Sequence, residues 1–385
     1  MKSSIRLFRV AGIDIGIHYS WLFIFILITW SLAEGVFRVT VPGEETLTYW
    51  LMGVVASLML FICVLLHELA HSLVARARGM SVNSITLFIL GGVSNLEEEP
   101  ARPAIEFSMA IVGPVTSLVL AGVFWGLERL SADGTVIDAM LGYLAYINLV
   151  LGIFNLVPGF PLDGGRVLRS ILWSATGSLV KATNIAATVG RLLGWALIGF
   201  GVYQVLTGSM FGFLGGIWTA FIGWFLSSTA DASRKEVMLR ELLSGKKVRD
   251  IMSPKPETVT PDTTVDQLVT DIFNRKHGRA LPVCQGERTE GIVTITDVKG
   301  LPREKWATTK VGEIMTRAPL FTVSPDDDVS KALKLVTQHD VNQLLIQREG
   351  TCAGMLSRAD IIRYVQLLQE LGHDGRTSRS SPTGA

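Results

Sequence analysis

The stretch Tyr49-Trp-Leu-Met-Gly-Val-Val-Ala-Ser-Leu-Met-Leu-Phe-Ile-Cys-Val-Leu-Leu-His67-Glu68-Leu69-Ala70-His71 decides how this chain is read. It is an apolar run long enough to cross a bilayer, and it ends in two histidines around a glutamate. An ionisable side chain deep in a span costs at least about 2.5 kcal/mol, so such groups are candidates for function. On a helix, residues four apart share a face, and His67 and His71 can therefore hold one Zn²⁺. Glu68, one residue on, can reach a water at that ion and act as general base. The chain holds 6 histidines in 385 residues, so chance rarely produces this spacing.

Composition points to a membrane protein with a soluble part. The hydrophobic fraction is 49%, and mean hydropathy is +0.40. Yet 18% of residues are charged, and these crowd into the C-terminal third, which argues for two regions. A net charge of +1 and the lack of a basic patch with interleaved aromatics give no support for nucleic-acid binding. Cys63, Cys284 and Cys352 are far apart and lack C-x-x-C spacing, so neither a disulfide framework nor a cysteine zinc site is indicated. The basic start, Lys2 to Arg9, leads into an apolar run with no small-residue cleavage pattern, and reads as the flank of a retained first span.

Apolar runs long enough to span appear around 18–36, 49–70, 106–127, 138–158, 185–206 and 211–228. Six spans place both termini on one side. Lys2, Arg6, Arg9, Arg76, Arg78, Arg102, Arg166, Arg169, Lys181, Arg234, Lys235 and Arg240 fall on that side, against Arg38 and Arg129 on the other. The bias makes that side the cytoplasm and puts the histidines near the cytoplasmic end of the second span.

Two histidines leave zinc one short of its usual three protein ligands. The stretch Asn155-Leu-Val-Pro158-Gly-Phe-Pro161-Leu162-Asp163-Gly164-Gly165-Arg166 ends the fourth span at the same expected depth. Prolines and glycines break the helix there, so its backbone must line protein or a wet cavity. Asp163 could cap a helix or ligate a metal; its pairing in depth with the histidines favours the ligand.

On His67-Glu68-x-x-His71, the Gly113-Pro114 pair in the third span and Asn155…Pro158…Pro161-Leu162-Asp163-Gly164, the chain resembles the site-2 protease family of intramembrane zinc metalloproteases. The resemblance covers about residues 5–228. It implies that His67, His71 and Asp163 hold zinc, that Glu68 activates water, and that Asn155 stabilises the developing oxyanion. A helix-end hydrogen bond is the competing role for Asn155. The run Leu156-Val157-Pro158 departs from relatives that carry Pro directly after the Asn.

Ser84-Ile-Thr-Leu-Phe-Ile-Leu-Gly91-Gly92-Val93-Ser94-Asn95-Leu96 is too short to span and carries a glycine pair, which predicts a short membrane-associated β-hairpin. The resemblance implies a sheet edge at Gly91, Gly92 and Val93 that receives substrate as an added strand. Strand addition would replace the hydrogen bonds a helical substrate loses on unwinding. His18, next to Tyr19 and near Trp21, reads as an interfacial histidine ahead of a fourth ligand.

Past the spans the composition turns polar, predicting a linking helix over 229–245. An internal repeat follows. Val248-Arg-Asp-Ile-Met252 is echoed by Val311-Gly-Glu-Ile-Met315, and Gly291-Ile-Val-Thr294-Ile-Thr-Asp297 by Gly354-Met-Leu-Ser357-Arg-Ala-Asp360. Each copy alternates helical and β-rich runs, and such small α/β units pack in pairs because one alone buries too little. The copies resemble tandem CBS domains, which implies an adenine-nucleotide sensor for AMP, ADP or ATP. There Thr294, Asp297, Ser357 and Asp360 would hold ribose hydroxyls or phosphate. Ordinary helix N-caps are an equal alternative.

The expected architecture is a polytopic α-helical membrane domain of about six spans with a β-hairpin (1–228) and a linker (229–245). A soluble α/β tandem CBS region (246–305 and 306–370) and a disordered tail (371–385) complete it. By the resemblance, the function is an intramembrane zinc endopeptidase of the bacterial inner membrane. It would act on a single-span substrate such as an anti-sigma factor, with a homodimer through the CBS pair as a further expectation. A nucleotide-gated transporter or an inactive scaffold are the rivals; the transporter gives no reason for a glutamate between two histidines.

Overall fold

The computed structural model describes residues 4–89, 91–96, 100–207, 210–254, 256–273, 280–286, 288–317, 320–348 and 351–370. The expected tail, 371–385, lies outside them. The chain forms two compact units, Met1–Val237 and Met238–Ala385.

Helices α1 (Ser20–Thr40), α2 (Thr46–Ala77), α3 (Pro103–Glu128), α4 (Val136–Asn155), α5 (Asp163–Thr176), α6 (Leu179–Thr207) and α7 (Met210–Leu243) follow one another, the last ending past the first unit's boundary. Five of these described helices, α1 to α4 and α6, are long and apolar enough to cross a membrane. The sixth expected run, 211–228, forms the first part of α7. The helix runs without interruption through the stretch expected as a separate linker. No helix breaker stands at the junction, and Ser228 Oγ simply donates back to the Trp224 carbonyl at 2.8 Å.

Helix α2 is the hub. Tyr49, Met52 and Ala56 pack with Leu32, Ala33 and Phe37 of α1; lower down, Cys63 meets Phe124 of α3 and Leu144 of α4. Thr29 and Ser57 satisfy each other across the α1–α2 contact, Oγ1 to Oγ at 3.1 Å.

The hairpin expected over 84–96 is present, as β3 (Val82–Phe88) against β4 (Gly91–Leu96). It is half of a four-stranded sheet whose order is β1 (Ser4–Val10), β2 (Ile13–His18), β3, β4. The hairpin β1–β2 went unread in the sequence, because its arginines passed for a cytoplasmic flank. Both Arg6 and Arg9 instead pair with Asp14, at 2.7 and 2.6 Å. Ile13, Ile15, Val82 and Ile85 press the sheet onto Ala75 of α2 and Met109 of α3. Strand β4 is therefore an edge.

Helix α5 is also new. It is amphipathic and anchored by Arg169, which is buried and donates from Nε to Oε1 of the fully buried Glu106 at 2.6 Å. Arg169 also lies 4.9 Å from the Phe160 ring centroid. Arg166 Nε approaches the same Glu106 oxygen at 3.9 Å. Arg169, read in the sequence as a loop charge, is thus a structural ion pair.

In the second unit, hairpins Ala280–Gln285/Arg288–Thr294 and Gln343–Arg348/Thr351–Ser357 join in one seven-stranded sheet. The two repeats interlock. Val248, which opens the first, packs with Val323, Val329 and Leu344 of the second. Val311, which opens the second, packs with Val259, Val265 and Val283 of the first. Each core is completed by the other copy, which is why a single copy would bury too little.

Breaking a buried ion pair leaves its partner uncompensated and costs about 3–5 kcal/mol. Glu106→Ala should accordingly lower the thermal midpoint of the detergent-purified protein. Glu106→Asp should fall between it and the parent, and equal midpoints for all three would refute the anchoring role.

Candidate active site

His67 and His71 lie one turn apart on α2 with ring centroids 4.9 Å apart, both buried. Asp163 comes to them from the start of α5. Its Oδ2 lies 3.1 Å from Nε2 of each histidine. Leu162, not Asp163, holds the N-cap position of α5, so the carboxylate is turned inward and is not capping the helix. The turn that delivers it is backbone against backbone. A Cβ on Gly164 would strike the Leu156 carbonyl, and one on Gly165 would strike Gly159.

Helix α3 aims both imidazoles. His71 Nδ1 donates to the Met109 carbonyl at 2.5 Å, and His67 Nδ1 meets Ser117 Oγ at 2.8 Å. With Nδ1 engaged, the Nε2 lone pair of each ring is presented to the space before Asp163. Gly113 stands between these two partners on α3, and a Cβ there would collide with Nε2 of both histidines. The ligand atoms of His67, His71 and Asp163 lie within 4.8 Å of one another. Two imidazoles, one carboxylate and a cleared volume in front of them fit a zinc site with positions left open.

Glu68 faces the same cavity, which measures about 200 Å³. Its Oε2 accepts from Ser94 Oγ on β4 at 3.0 Å, and Ser94 in turn meets Ser72 Oγ at 3.1 Å. Gly92 approaches Glu68 so closely that a Cβ would overlap its Cγ. The lining is Glu68, His71, Ser72, Gly92, Ser94, Met109, Pro161, Asp163 and Arg166. Gly92 sits in the wall, and Gly91 and Val93 lie beside it on the same edge strand.

Asn155 does not join this group. Its Nδ2 donates to the Leu151 carbonyl at 3.0 Å, one helical turn back, the helix-end bond set against the oxyanion role in the sequence. His18 is elsewhere too, with Nδ1 at 2.9 Å from Ser20 Oγ. Sequence reading missed Ser117, Met109, Ser94, Glu106 and Arg169, which carry no local motif. The Gly113-Pro114 pair was the single visible signal of α3's part in the site.

In the second unit, Thr294 and Asp297, and likewise Ser357 and Asp360, cap their helices reciprocally. Asp297 Oδ2 accepts from Thr294 N and Oγ1, both at 2.8 Å. Asp360 Oδ2 accepts from Ser357 N at 3.0 Å and Oγ at 2.6 Å. The N-cap role is therefore present at both places.

Comparison with known proteins places the chain among zinc metalloproteases. Peptidase family M50 matches residues 55–132 and 128–197, and the CBS domain matches 248–303 and 311–367. Rip3 of Mycobacterium tuberculosis, named as a zinc metalloprotease, is 34% identical over 100% of this chain and 98% of its own. Protein sll0528 of Synechocystis, also named as a zinc metalloprotease, is 34% identical over 95% of this chain and 96% of its own. A solved site-2 protease from Methanocaldococcus jannaschii is 29% identical, with a TM-score of 0.42 over 60% of this chain and 95% of that one. With its apolar helices and two relatives matched nearly end to end, the chain belongs to the site-2 protease family of zinc metalloproteases, peptidase family M50, and carries a tandem CBS region.

Proposed function

We propose that this protein hydrolyses peptide bonds inside the membrane-spanning segments of regulatory proteins, and that adenine nucleotide at the CBS pair adjusts that activity. The clustering of His67, His71 and Asp163, with Glu68 on the cavity that His71 and Asp163 line beside an open strand edge, carries the reading. Zinc, when held by the two Nε2 atoms and Asp163, supplies the Lewis acidity that polarises a carbonyl and acidifies water. Glu68 takes the proton of the attacking water as oxygen bonds to the carbonyl carbon, then passes it to the departing amine as the C–N bond breaks. Ser94 steadies the Glu68 carboxylate by donating to Oε2, which leaves Oε1 for the water's proton. Edge strand β4, through Gly91, Gly92 and Val93, would hold the unwound substrate as an added strand within reach of Glu68.

The substrate class is a single-span regulator such as an anti-sigma factor already trimmed outside, and the site is the bacterial inner membrane. Arg76, Arg78, Arg102, Arg234, Lys235 and Arg240 favour cytoplasmic termini and a cytoplasmic CBS pair. AMP, ADP or ATP is the proposed ligand there. Asp297 and Asp360 each use Oδ2 for the cap, so Oδ1 is the atom that would accept from a ribose hydroxyl. A ligand shifts activity only if it binds two states of the protein unequally, and a second copy joined through this region is the proposed partner.

The zinc-loaded protein should cleave a membrane-spanning test peptide, and Glu68→Gln should abolish cleavage while keeping zinc. Equal cleavage by both would remove Glu68 as the base, and no cleavage by the parent would favour a transporter or scaffold. Asp163→Ala should lower zinc content measured by metal analysis; full retention would take Asp163 out of the ligand set. Gly113→Ala, which adds one methyl between the two imidazoles, should lose zinc and activity together in a protein that still folds. Calorimetry on the full chain should detect adenine-nucleotide binding, weakened at least about tenfold in Asp297→Ala/Asp360→Ala. Absence of binding by the parent would end the sensor reading.

A further inference from the structure

Among the described residues the cavity wall has one arginine or lysine, and the roles assigned above leave it idle. Arg166 lies one turn after Asp163 on α5 and lines the same space as Glu68, His71 and Asp163. Its side chain is 22% exposed, and its one polar approach among the described residues is the 3.9 Å contact from Nε to Glu106. Arg169 by contrast engages that carboxylate closely, with both Nε and a terminal nitrogen on Oε1. Of the two guanidiniums near this carboxylate, Arg166 is the one that faces the cavity.

Among the described residues, the other side-chain donors in that wall are already committed. Ser94 donates to Glu68, Ser72 is paired with Ser94, and the Nδ1–H of His71 is held by Met109. Asn155 is not among the lining residues, and its Nδ2 donates to the Leu151 carbonyl. Peptide hydrolysis builds negative charge on the scissile oxygen, and a preset donor aimed at that position stabilises the transition state above the ground state.

We propose that Arg166 is a catalytic residue: its guanidinium donates to the scissile carbonyl oxygen and carries the charge that develops there. No covalent bond forms to Arg166 and its proton stays in place. A planar fork of donors suits this, since it meets an oxygen with two hydrogen bonds and stays charged at any working pH. The proposal rests on the proteolytic reading above.

The test compares Arg166→Gln, Arg166→Lys and the parent, all full-length and zinc-loaded. With the membrane-spanning peptide, Arg166→Gln should lose about 10²–10³ in kcat, with KM and zinc content nearly unchanged. Arg166→Lys should recover part of the loss, and added guanidinium ion should partly rescue Arg166→Gln. Binding is measured in parallel for two equal-length peptides, one with a phosphinate at the scissile position as oxyanion mimic and one uncharged. Arg166→Gln should weaken the phosphinate at least about tenfold and leave the uncharged peptide unaffected. Equal phosphinate affinity in parent and Arg166→Gln overturns the proposal even if the parent proves inactive. A loss of kcat that tracks zinc loss overturns it too, and assigns Arg166 to holding α5. A parent that binds the phosphinate through Arg166 yet cleaves nothing would sink the proteolytic reading while leaving the oxyanion contact standing.

Discussion

Keeping polar groups among apolar helices is the constraint from which the rest of the membrane unit follows. Imidazoles and carboxylates lose their hydration there, and each must find partners in the protein. The partners come mainly from α3. Met109 and Ser117 take the two Nδ1 atoms, Gly113 clears the volume between them, and Glu106 at its start secures α5. One helix that supplies none of the three candidate ligands therefore sets ring orientation, free volume and the position of Asp163. The sheet adds the last partner, Ser94 on Glu68.

The same logic explains the close backbone contacts around Asp163. A metal-binding carboxylate on a long flexible loop would lose precision. Here it begins a helix whose first turn rests on the Leu156–Phe160 backbone, a contact open only to residues without a Cβ. The ion pair and the glycine contacts together fix α5. Precision at Asp163 is thus supplied by residues with no part in ligation.

What the sequence disclosed, and what it hid, divides along the range of the interactions. His67, Glu68 and His71 are legible because helical spacing alone puts them together, and the hairpin at 84–96 is legible from its glycine pair. Asp163 needed a depth argument and a resemblance. The β1–β2 hairpin was hidden because Arg6 and Arg9 look like a charged flank until Asp14 is seen to hold them. Arg169 was hidden because its partner is 63 residues away. The repeat in the second unit was plain, but not the exchange of Val248 and Val311 between the two cores, since equal repeats give no hint of which copy completes which.

The clamping of both histidines by α3 bears on how the protein acquires its ion. A ring already pinned through Nδ1 gives up little further rotational freedom when Nε2 is coordinated, so the entropic penalty of assembly has been met during folding. Uptake then resembles filling a rigid chelator instead of the folding-upon-binding of a small zinc finger. The apo protein should persist as a folded reservoir, taking up or losing its ion without passing through a denatured chain, and the supply of metal becomes a control on the enzyme separate from its synthesis and turnover.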